Sequence, residues 1–140
     1  PFMQILTTLS RSQVPENLGQ LAAVALSKTL GNKPIERISV HILTDQMIFS
    51  GQNVLILFQI IKYILFVLRS QPGVNGPLAL ADLRSIGSVN LEDNRKTVEA
   101  ITDLLHQQLN IPKSEIRMFF NDYKPDMVAI DGKVVTDISD

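Results

Sequence analysis

The sequence predicts an α+β fold in which one β-α-β unit occurs twice. The product is a four-stranded mixed sheet with two helices on one face. Three observations lead there. Each half runs strand, polar loop, helix, proline, strand. Pro34-Ile35-Glu36-Arg37-Ile38 and Pro112-Lys113-Ser114-Glu115-Ile116 place a proline and a β-branched residue at the same spacing, 78 positions apart. And 140 residues, 45% hydrophobic and 19% charged, suffice for one domain (1–140) with its own core.

The elements follow in order. Residues 2–9 form a strand, with Phe2, Ile5 and Leu6 apolar and Thr7 and Thr8 β-branched. After the polar Ser10-Arg11-Ser12-Gln13, Val14-Pro15-Glu16-Asn17 opens a helix, with the proline near the first turn and the acid favourable to the helix dipole. Leu18, Leu21, Ala22, Ala25, Leu26 and Thr29 supply its buried stripe, and Gly31-Asn32 closes it. Lys33-Pro34 leads to a second strand over 38–43. Asp45-Gln46 is a turn, and Met47-Ile48-Phe49 a short third strand.

Residues 54–68 are far more apolar than their surroundings. Fifteen residues are short for a membrane span, which needs about 20, and Gln59 and Lys62 sit in the middle. Gln71 to Pro77 is rich in chain breakers and forms a loop. A strand over 78–86 ends at Gly87. Leu91-Glu92-Asp93-Asn94 starts the second helix, with Val98, Ile101, Leu104, Leu105 and Leu109 as its buried stripe, until Asn110 and Pro112 end it. Residues 116–120 form the next strand. The tail offers two short strands around Asp131-Gly132. A sheet with helices on one side leaves its other face bare, and Thr7, Leu80 and Phe119 make that face partly apolar, so association of copies is expected to cover it.

Composition excludes several functions. The net charge is −1, so no basic field is present for nucleic acid. There are no cysteines, hence no disulfides, thiolate catalysis or cysteine metal site. The opening residues carry no basic segment followed by an apolar run, so no secretory signal peptide is expected. His41 and His106 lack an acidic cluster in sequence and read as structural, and no metal is expected. The glycines form neither G-x-G-x-x-G nor a P-loop, so no nucleotide is implied. Pro1 stands out chemically. If the mature chain starts at Pro1, this residue carries a secondary amine, whereas every other proline nitrogen is an amide; the other reading is a sequence that starts there by chance. An α-amino group titrates near 7.7–8.0, and burial beside apolar residues lowers that value.

Pro1, Val14-Pro15, Gly31-Asn32-Lys33-Pro34, Ser39-Val40-His41 with Asp45-Gln46, Pro77, Ser85-Ile86-Gly87, Glu92-Asp93-Asn94-Arg95 and Ile111-Pro112-Lys113 occur in an informative order. Together they resemble the macrophage migration inhibitory factor and D-dopachrome tautomerase family, of the tautomerase superfamily, with features of its nematode members. The resemblance covers residues 1–52 and about 76–135. It implies a homotrimer with sites at subunit interfaces, and Pro1 as general base in keto–enol tautomerisation of phenylpyruvate-like acids, with no cofactor. It implies substrate contacts by Lys33, which matches the family's carboxylate-binding lysine, and by the backbone of Ile86. Arg37, Arg117, Phe119 and Val128 are further substrate-binding positions on the same ground. Arg117 stands where the inhibitory factor has tyrosine and Phe119 where it has asparagine. By spacing alone Lys33 is a solvated loop lysine and Arg117 a solvent-facing strand arginine.

The family's C-x-x-C falls on Leu78-Ala79-Leu80-Ala81, which removes thiol–disulfide chemistry. Against the family spacing, about 53–75 is an atypical apolar insertion. Two readings stay open: a genuine helix or hairpin that enlarges the subunit interface or docks a membrane surface, or sequence from an unspliced intron. The resemblance further implies a cytoplasmic protein that is also secreted without a signal peptide. A second function follows from it, cytokine-like signalling through a cell-surface receptor, with a vestigial or D-dopachrome-type pocket. Arg11 and Asp45 match family positions implicated in receptor engagement.

Overall fold

The computed structural model describes residues 1–48 and 76–138. Strand β1 (Phe2–Thr7) leads through α1 (Leu18–Thr29) to β2 (Ser39–Leu43). Strand β3 (Ala79–Ser85) leads through α2 (Leu91–Leu109) to β4 (Ile116–Asp122). These four strands form one sheet in the order β2-β1-β3-β4. Pairing is parallel within each unit and antiparallel between β1 and β3. The expected duplicated β-α-β architecture is therefore the observed one. Its repeat holds to the residue: Phe2 pairs with Ser39, and Leu80 with Arg117, each pair 78 positions from its counterpart.

The strand period of two decides which side chains meet the helices. Met3, Ile5 and Thr7 of β1 and Ala79, Ala81, Leu83 and Ser85 of β3 are buried. The alanines leave room for the helices to lie close to the middle of the sheet. Leu18, Ala22, Ala23 and Leu26 of α1 and Ile101, Leu105 and Leu109 of α2 complete the core. Phe2, Gln4, Leu6, Leu80, Asp82, Arg84, Arg117, Phe119 and Asn121 fall on the opposite, open face by the same alternation. That face carries a polar row: Asn121 donates to Asp82 at 2.6 Å, and Arg84 pairs with Asp82 at 2.8 Å.

Local chemistry sets the ends of the helices. Asn90 caps α2, its side-chain oxygen accepting from the Asp93 N–H at 3.0 Å. Asn110 ends α2 in the left-handed region at φ 53°, a conformation that asparagine tolerates better than most residues. Gly31 and Asn32 repeat this stop after α1, at φ 78° and 56°. In the tail, β5 (Ala129–Ile130) and β6 (Lys133–Val134) form a hairpin around Asp131-Gly132, both at positive φ.

Three expectations are corrected. Met47 and Ile48 are not in a strand, and Phe49 lies outside the described residues. Both edges of β1 are already taken by β2 and β3, so this segment has no ladder partner there. Instead Asp45 and Gln46 donate to the carbonyls of Leu9 and Thr7, and Met47 is fully exposed. Thr7 faces the helices, not the open side. Its hydroxyl donates to the Leu78 carbonyl at 2.9 Å. In α2 the buried stripe runs through Thr97, Ile101, Leu105 and Leu109, while Val98 is exposed. The proposed insertion at 53–75 lies outside the described residues.

Candidate active site

Pro1 sits at the head of β1 and is half-buried. Its carbonyl accepts the Ser39 N–H at 3.0 Å, which ties the residue to the start of β2 and prevents fraying. Burial lowers the amine's pKa below the ordinary value of 8.0, and the Lys33 cation lowers it further. The neutral, proton-accepting form is thereby favoured.

Lys33 lies between the left-handed Gly31-Asn32 and Pro34. The Ser27 hydroxyl, on α1, donates to the Lys33 carbonyl at 2.7 Å. The Lys33 ammonium donates to the Ile86 carbonyl at 3.2 Å and to the Ser85 Oγ at 3.3 Å. An ammonium has three donors, so one remains. Among the described residues Lys33 forms no ion pair. A half-buried cation held by neutral oxygens, with a donor to spare, is suited to an anion.

Ile86 leaves β3 where the chain turns sharply. Gly87 and Ser88 are both at positive φ, and the Gly87 N–H donates to Asp122 Oδ1 at 2.9 Å. The turn presents the Ile86 carbonyl to Lys33. An amine base, a fixed cation and an oriented backbone thus meet at one end of the sheet. They come from residues 1, 33 and 86.

Other expected site residues lie elsewhere on the chain. Arg117 pairs with Leu80, which pairs with Leu6. Leu6 is five residues from Pro1, roughly 16 Å at the rise of a strand. Phe119 pairs with Asp82 and is 56% exposed on the open face. Arg37 is exposed in the turn before β2 and forms no side-chain hydrogen bond among the described residues. Val128 is half-buried in the tail, its carbonyl accepting from Val135 at 2.8 Å. The tail leaves the sheet at the Pro1 end, since the Tyr123 N–H donates to the Ser85 carbonyl. Ser85 was not among the expected site residues, although it is buried and holds the Lys33 ammonium. The signal was there: it is the polar residue in an inward stripe otherwise made of Ala79, Ala81 and Leu83.

Comparison with known proteins agrees with the fold. A family model described as macrophage migration inhibitory factor matches residues 1–54 and 62–136. The chain is similar to a MIF-like protein of Caenorhabditis elegans, MIF-like protein mif-2, at 26% identity over 98% of this chain and 96% of that one. It is 31% identical to the macrophage migration inhibitory factor of Meriones unguiculatus, over 88% of this chain and 86% of that protein. The fold superimposes on the factor from Trichinella spiralis with a TM-score of 0.74 and 25% identity, over 95% of this chain and 98% of the other. With both β-α-β units covered by the family model, the chain belongs to the macrophage migration inhibitory factor family.

Proposed function

We propose that the protein is a keto–enol tautomerase of phenylpyruvate-like acids with Pro1 as its general base. The observation that carries this reading is the lowered pKa of a half-buried amine beside a cation held on neutral oxygens. Neutral Pro1 takes a proton from the carbon next to the substrate carbonyl, and the electron pair moves onto the carbonyl oxygen. The proton then returns to that oxygen, giving the enol. The reverse path gives the keto acid, so the reaction is an isomerisation with no net loss of atoms. Lys33 binds the carboxylate through its remaining donor. No redox step is involved and no cofactor is needed.

Arg117 and Phe119 fit this reading as groups supplied by a neighbouring subunit. Both lie on the open sheet face, away from Pro1 of their own chain. A homotrimer that covers this face brings them to the neighbour's amine. Arg117 then adds charge for the carboxylate or for the developing enolate. Arg37 precedes β2, whose first residue pairs with Phe2, and the tail that carries Val128 leaves the sheet at this end, so both are assigned to the wall of the site.

The test is turnover of phenylpyruvate by the wild type, by Pro1→Gly and by a form with one residue added ahead of Pro1. The extension keeps the ring but turns its amine into an amide. Both changes are expected to lower kcat/KM by about a hundredfold or more, the usual contribution of a general base. Absence of wild-type turnover, or turnover untouched by either change, overturns the proposal.

A signalling role is the second reading. It rests on Arg11 and Asp45, which the fold brings together at an exposed surface, the Arg11 N–H donating to Asp45 Oδ2 at 3.3 Å. Pro1→Gly separates the two roles, because receptor engagement through this surface does not need the amine.

A further inference from the structure

We infer that Ser85 is a positioning residue: its hydroxyl fixes the Lys33 ammonium so that one donor stays available for a carboxylate and the charge stays beside Pro1. The inference rests on the tautomerase reading and deepens it.

Lysine has a flexible four-carbon stem, so a lysine at a binding site needs partners that hold its head. Lys33 is held at both ends. The Ser27 hydroxyl fixes its backbone at 2.7 Å, and Ser85 Oγ accepts from its ammonium at 3.3 Å. Ser85 is well placed to do this, because its own strand end is buried and hydrogen-bonded. It is 5% exposed, is in register with Asp122, and its carbonyl accepts the Tyr123 N–H at 2.8 Å. The Ile86 carbonyl supplies a second acceptor at 3.2 Å, and Gly87 anchors that turn on Asp122. The ammonium is thus confined by two neutral oxygens that leave its charge uncompensated.

The duplicated fold provides an internal comparison. The position equivalent to Ser85 in the first unit is Thr7, 78 residues earlier. The Thr7 hydroxyl is buried too, but it donates to the Leu78 carbonyl and accepts the Leu9 N–H at 3.2 Å. It secures the strand end. At the second position, the buried hydroxyl is directed to a charged side chain 52 residues away in sequence. A buried hydroxyl is costly to keep without a partner, and at this position its partner is the candidate site's cation.

The experiment is a double-mutant cycle read at Pro1. The titration of the Pro1 amine is followed by NMR in the wild type, Ser85→Ala, Lys33→Ala and the double variant. Ser85→Ala is expected to move the titration upward in the wild-type background and to leave it unchanged when Lys33 is already alanine. It is expected to raise the KM for phenylpyruvate about fivefold, the scale of one net hydrogen bond, with kcat within about twofold. Ser85→Thr, which keeps the hydroxyl, is expected to restore both. The inference is overturned if Ser85→Ala leaves the Pro1 titration in place, shifts it equally in both backgrounds, or is matched by Ser85→Thr. The titration needs no turnover, so a wild type that fails on phenylpyruvate sinks the tautomerase reading without touching this result.

Discussion

The Lys33 ammonium meets the Ile86 carbonyl oxygen at 3.2 Å, so a loop of the first β-α-β unit is pinned to a strand end of the second. On the proposed reading, removing the lysine removes the cation that faces an incoming acid. Lys33→Ala is expected to raise KM for phenylpyruvate about tenfold to a hundredfold, as for loss of a charge-assisted hydrogen bond. The methyl ester of the same acid, which has no carboxylate, is expected to show little difference between the two proteins.

The depressed pKa of Pro1 sets the pH profile. Burial and Lys33 both disfavour the ammonium form. The kcat/KM of the wild type is expected to rise with pH as the amine loses its proton, and to level off below the ordinary value of 8.0. Lys33→Ala shifts the rising limb to higher pH. Stability carries the same sign. The unfolded chain binds the proton more tightly, so the amine's contribution to stability is fully present above 8.0 and is lost as pH falls through the folded value. Denaturant midpoints across this window check it.

Thr97 is fully buried in α2, and its hydroxyl has no partner among the described residues. Replacing it by valine keeps the shape and removes the unsatisfied group. Thr97→Val is expected to stabilise the protein by about 1 kcal/mol in urea unfolding.

The phase of α2 makes a paired expectation. Leu105 is fully buried and Val98 is 38% exposed. Leu105→Ala is expected to cost about 2–5 kcal/mol, and Val98→Ala about 0.5 kcal/mol or less. Equal losses at the two positions contradict the observed orientation of the helix.

The composite sites proposed above would permit rescue between subunits. On that reading Pro1→Gly removes the base and Arg117→Ala a charge supplied by a neighbour. If each homotrimer is impaired, mixed trimers of the two variants contain some sites with both groups intact. Activity is expected to recover in part after the variants are unfolded and refolded together, and to stay low after mixing without exchange.

Much of this fold was legible in the sequence because the same pattern was written twice. The prolines at 34 and 112, the helix stops at Asn32 and Asn110, and the strand alternation all recur in the structure. The misses have physical reasons. Met47-Ile48-Phe49 has the composition of a strand, but composition does not say whether an edge is free to pair. Val98 was expected to be buried because it is apolar, yet the helix turns Thr97 inward instead. Pro1 was legible as chemistry and Lys33 only through the family resemblance, because the contact between Lys33 and Ile86 spans 53 residues and depends on the antiparallel seam between β1 and β3. Ser85 was placed correctly in the strand, but nothing in the local pattern says that its hydroxyl meets a lysine 52 residues away.

The internal repeat has one more consequence. Carried across by 78 residues, the position of Pro1 is occupied by Ala79 and that of Lys33 by Ile111. Both are completely buried. The Ala79 nitrogen is tied into an amide, and Ile111 has no charge. Two ends of a nearly symmetrical scaffold have therefore taken opposite fates: one is open and basic, the other sealed with hydrocarbon. The architecture offers two equivalent poles in each chain, and only one of them carries an amine and a cation.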